Sequence, residues 1–77
     1  MYSIYDEGLG RLMTIGRNSP TKEAAKEALL HYLSASCSKV ELAAHSLLTP
    51  DELAARYQYK IFKHLTPYSA DTEYTSL

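Results

Sequence analysis

Three histidines and one cysteine are the residues of this chain best suited to chemistry: His31, Cys37, His45 and His64. Imidazole and thiolate are the usual ligands of zinc, but a zinc site brings them close in sequence, as Cys-x-x-Cys or His-x-x-x-His. Here the successive separations are 6, 8 and 19 residues, which match no metal-ligand pattern, and no metal or other cofactor is expected. Cys37 as nucleophile with His45 as its base is the other arrangement that can be drawn. It would still need an oxyanion hole and a substrate pocket, for which 77 residues leave little room. The glycines Gly8, Gly10 and Gly16 do not open onto a helix, so a phosphate-cradling loop is not indicated. The chain is read as non-enzymatic.

Charge narrows the choice further. Eight Lys/Arg stand against nine Asp/Glu, a formal net charge of −1. Asp71 and Glu73 lie near the end, so residues 1–65 sum to +8 − 7 = +1. Nucleic-acid binders usually carry a strong basic excess or stripe, so a nucleic-acid partner is disfavoured. Cys37 has no partner for a disulfide, which suits a reducing compartment, and the reading is cytoplasmic. No apolar run approaches the roughly 20 residues that cross a bilayer. Seven tyrosines with no tryptophan are the compositional oddity; tyrosine offers contact area with a polar tip, as interfaces and thin cores both require.

The elements that would position these residues follow from periodicity and caps. Tyr2–Tyr5 alternates and is β-prone, Asp6–Gly10 supplies a turn, and Arg11–Ile15 returns, which predicts a β-hairpin over residues 2–16. Ser19 as cap and Pro20 at the first helical position start a helix whose inner face runs from Ala24, Ala35 and Ala28 through Tyr32 and Ala25 to Leu29 and Leu33, with small residues that let it sit close on the hairpin. Ser34–Ser38 interrupts it. A second helix from Lys39 to Leu47 places Val40, Ala43, Ala44 and Leu47 at core spacing. Thr49-Pro50-Asp51-Glu52 is the strongest local signal, a capped helix start with Glu52 reaching back to the cap. That third helix is expected to run to about His64. The fold class is therefore α+β: an N-terminal β-hairpin packed against two or three short helices, as one domain over residues 1–65. Residues 66–77 form a polar, flexible tail.

Leu42-Ala43, followed seven residues later by Thr49-Pro50 and then Leu53, resembles a helix-turn-helix over about 14 residues. Leu47 stands where a turn glycine is common, and Asp51 and Glu52 occupy the first turn of the would-be recognition helix. On a helix through residue 64, Arg56, Tyr59, Lys60 and Lys63 share one exposed strip, suited to an acidic protein partner or to phosphates. Glu52 and Arg56 also form an (i, i+4) pair that supports a solvated helix without any ligand. The expectation is a small protein-interaction or regulatory module. Its contacts would be this strip and the hairpin edge at Tyr2, Tyr5 and Arg11, and homodimerisation is plausible. A helix-turn-helix-like DNA-binding regulator using residues 39–63 is the alternative.

Overall fold

The computed structural model describes residues 1–69. The α+β expectation holds, with three strands and three helices among those residues: β1 (Tyr2–Asp6), β2 (Arg11–Leu12), α1 (Lys22–Leu33), α2 (Lys39–Ser46), α3 (Pro50–Arg56) and β3 (Tyr59–Lys63). The sheet is antiparallel in the order β2-β1-β3, so the N-terminal strand is central. The hairpin forms, but its second strand is two residues long. Gly10 and Gly16 both take positive φ, near 70°, where the chain turns. At Gly16 a side chain would be strained, since φ is +69° and a Cβ would lie 2.7 Å from Ile4 Cδ1, which would have to shift.

Two helix starts differ in instructive ways. Ser19 does not cap α1; it exchanges backbone hydrogen bonds with Tyr2 (both 2.7 Å), and Thr21 caps instead, accepting from the Ala24 N–H. α3 starts as its sequence predicts. Thr49 Oγ1 accepts from Glu52 N–H while Glu52 Oε1 accepts from Thr49 N–H. α2 carries the same reciprocal cap between Ser38 and Glu41. In each case the backbone amide of the cap residue, then its hydroxyl, holds the glutamate below its ordinary carboxylate value.

The expected helix from Pro50 to His64 is corrected. α3 ends at Arg56, Gln58 adopts φ of 60°, and the chain then runs as a strand. Tyr, Ile and Phe in this stretch favour a pleated surface, and β1 supplies a second edge on which to pair. The core is Ile4, Ile61, Ala25, Leu29, Leu33, Leu53 and Ala54, so all three helices lie against one face of the sheet or against each other. α2 is turned from its expected orientation. Val40 and Leu47 are 81% and 87% exposed, while Leu42 packs on the core and His45 is buried.

Of the expected tail, residues 66–69 lie within the described part. Asn18 Nδ2 donates to the Tyr68 carbonyl and Asn18 Oδ1 accepts from the Tyr68 N–H (2.9 and 3.0 Å), and Arg17 donates to the Ser69 carbonyl. Residues 70–77 of that tail lie outside the described residues. Among the described residues, no helix is long and apolar enough to cross a membrane.

Candidate functional site

β3 is the outer strand of the sheet, and its register shows which backbone groups it leaves unpaired. Met1 and His64 exchange two backbone hydrogen bonds (3.1 and 2.9 Å), and Glu7 N–H donates to the Gln58 carbonyl at 2.9 Å. Hydrogen-bonded pairs alternate along an antiparallel ladder. Gln58, Lys60, Phe62 and His64 therefore turn their backbone groups toward β1, while Tyr59, Ile61 and Lys63 turn theirs outward. Among the described residues no hydrogen bond reaches those outward groups.

Side chains alternate across the same strand. Ile61 is buried with Ile4 on the helix face, and Tyr59 and Lys63 share that side; Lys60 and Phe62 project to the other. Tyr59 stacks on Tyr57, with centroids 6.0 Å apart, and burial, with Tyr32 and Asp6 adding to it, raises the Tyr59 hydroxyl above its ordinary value. A groove of about 440 Å³ runs beside this edge, lined in part by Glu7, Asp51, Ala54, Ala55, Tyr59 and Ile61. Asp51 pairs with Lys22 at 2.9 Å, which ties α3 to α1 at one wall.

The residues expected to form a basic helical strip are thus placed differently. Arg56 ends α3, Lys60 points to the face of the sheet away from the helices, and Tyr59 and Lys63 point to the helix face. They share an edge rather than a helix face. Tyr2 and Tyr5 lie on the central strand, so they do not form a free hairpin edge; Arg11 alone of those three stands on an outer strand, and it is exposed. The DNA-binding alternative loses its long recognition helix, because residues 39–63 are two short helices and a strand.

Cys37, His45 and His64 do meet other side chains, though no hydrogen bond joins them to one another. Tyr57 Oη lies 3.5 Å from Cys37 Sγ and 2.7 Å from His45 Nε2, standing between the two. His45 Nδ1 is buried without a hydrogen-bond partner. A buried N–H left unpaired is rarer than an underused acceptor, which assigns the His45 proton to Nε2. His45 then donates to Tyr57, whose own proton points at the sulfur. That hydrogen bond to Cys37, together with burial, raises Tyr57 to about 12. On the other face of the sheet, Ser3 is fully buried and lies 2.7 Å from His64 Nε2, with His64 Nδ1 3.0 Å from the Thr66 carbonyl. Only a nitrogen carrying a proton can meet a carbonyl, so Nδ1 donates and Ser3 donates to Nε2. Burial closes this serine to any substrate. No group of three or more His, Cys, Asp or Glu among the described residues is arranged to hold a metal ion.

Sequence reasoning missed the strand edge. The signal for it was the alternation Tyr57, Tyr59, Ile61 at period two, which competes with the helical spacing Leu53, Tyr57, Ile61. Compared with family models, curated proteins and solved structures, the chain finds no match, and the site is read from its own residues.

Proposed function

We propose that this protein is a small, non-enzymatic interaction module that receives an extended segment of another polypeptide as an added strand on the outer edge of β3. The observation that carries the proposal is the unpaired backbone run at Tyr59, Ile61 and Lys63. Strand addition draws affinity from main-chain hydrogen bonds and specificity from pockets that take alternate side chains. The groove beside Tyr59 and Ile61 suits the second requirement. The cytoplasm is the setting that the unpaired Cys37 suits. A regulatory role follows from the same mode, since an edge that binds by backbone pairing can be occupied or vacated without any change to the core.

A displayed random-peptide library, selected on the folded protein, tests this. Enriched peptides should be extended, with apolar residues at alternate positions. Their addition should slow amide exchange at Tyr59, Ile61 and Lys63 while leaving Lys60 and Phe62 unchanged. An empty selection, or binders that protect amides elsewhere, would count against the proposal.

A further inference from the structure

We infer that the strand received on this edge is β3 of a second copy, paired antiparallel about a two-fold axis at Ile61, so that two three-stranded sheets join into one. The inference rests on the strand-receiving reading above and names the partner. Its first support is symmetry. The outward-facing residues are Tyr59, Ile61 and Lys63, which are centred on Ile61, so the edge is complementary to itself. Ile61 faces Ile61 of the second copy and Tyr59 faces its Lys63. Each of the three outward pairs can exchange two hydrogen bonds. Isologous two-fold contacts of this kind are the commonest in soluble assemblies.

Charge selects the same register. Lysines on an outer strand ordinarily discourage pairing. Centred on Ile61, Lys60 meets the ring of Phe62 and Lys63 meets the ring of Tyr59, contacts in which a cation lies against an aromatic. Sliding the pairing one way sets Lys60 directly against Lys60, and like charges so opposed are destabilising. Sliding it the other way pairs Tyr59 with Leu65, beyond the end of β3. Directly opposed residues share a face of the sheet, so Lys63 of the second copy comes beside Tyr59 on the helix side, next to a groove lined by Glu7 and Lys60 and by Asp51 already paired with Lys22.

Sedimentation velocity across a dilution series, with two sets of variants, decides the matter. Wild-type protein should dissociate on dilution. Lys63→Pro removes only an outward N–H from an exposed position and should weaken association by about tenfold or more while keeping the circular dichroism. In a Cys37→Ser background, Lys60→Cys mixed with Phe62→Cys should cross-link between copies, because non-hydrogen-bonded pairs bring Cα atoms to about 4.5 Å. Lys60→Cys alone should not cross-link. This pair decides the register even if Lys63→Pro fails to fold. A protein that stays monomeric at high micromolar concentration overturns the second copy as partner. If library peptides still protect Tyr59, Ile61 and Lys63 in that monomer, the strand-receiving edge stands without self-pairing; if they do not, both fall. A dimer indifferent to Lys63→Pro, or cross-linked by Lys60→Cys alone, also overturns the inference.

Discussion

On the β2 side the sheet ends in a strand of two residues, and the chain beyond it closes what remains of β1. Tyr2 and Ser19 exchange backbone hydrogen bonds at 2.7 Å, Ser19 Oγ donates to the Gly16 carbonyl, and Asn18 holds Tyr68 across the adjoining face. On the β3 side a strand of five residues presents outward backbone groups that no described residue meets. β1 is thus closed on that side by β2, the turn and Ser19, whereas among the described residues the outward groups of β3 are unmet along a full five-residue strand. A small domain with a thin margin of stability gains from closing every edge it can. The proposed contact uses the longer of the two outer strands.

That contrast predicts a division of effects: changes on the β2 side of β1 should cost stability and leave association alone, while changes at the outer edge of β3 should do the reverse. Gly16→Ala should have the largest effect. Its φ of +69° disfavours any side chain, and the new Cβ would press at 2.7 Å on Ile4, itself fully buried. A loss of about 3 kcal/mol is expected from the strain and overpacking together. Urea denaturation measures it, and a loss below about 1 kcal/mol would show that the turn can relax.

Ser3→Ala comes next. Its hydroxyl accepts from the Asn18 N–H at 3.0 Å and donates to His64 Nε2 at 2.7 Å. Truncation leaves both groups without that partner, at a cost of about 2 kcal/mol. The dimer constant of the folded variant should match wild type. If it shifts instead, the two edges are coupled through β1 and the division above is wrong.

Where the sequence was legible and where it was not follows a physical line. Thr49-Pro50-Asp51-Glu52 acts within four residues, so its cap reads directly from the chain, and Gly10 and Gly16 mark turns for the same local reason. The stretch Tyr57–Lys63 is different. Tyr57 and Ile61 satisfy a helix repeat while Tyr59 and Ile61 satisfy a strand repeat, and over so few residues the two cannot be separated. The choice is made by β1, more than 50 residues away in sequence, which offers a ladder on its free side. α2 repeats the lesson. Val40 and Leu47 look like core residues, and histidine looks like a surface one, until the Tyr57 hydroxyl arrives from the end of α3 to pair with His45 Nε2. The candidate site was thus half legible: Tyr59, Lys60 and Lys63 were singled out as contact residues, but on a helix, whereas the groups that now matter are the backbone amides and carbonyls of a strand.

The smallest of the expected effects probes the joint behind the open edge. Tyr57 caps the C-terminal end of α3 two residues before β3 begins, and its ring stacks on Tyr59. The hydrogen bond to Cys37 and burial hold it protonated up to about pH 12, against 10.0 for an unperturbed tyrosine. The folded state therefore binds this proton more tightly than the unfolded chain does. Its contribution to stability is complete below pH 10 and is lost as pH rises from there toward 12. Tyr57→Phe removes the proton and with it this part of the alkaline decline, so the stability of the variant should fall less steeply than that of wild type between pH 10 and 12. Urea midpoints taken at intervals across that range give the two slopes. Parallel slopes would mean that Tyr57 ionises equally well in both states, and would leave the joint between α3 and β3 without its hydroxyl anchor.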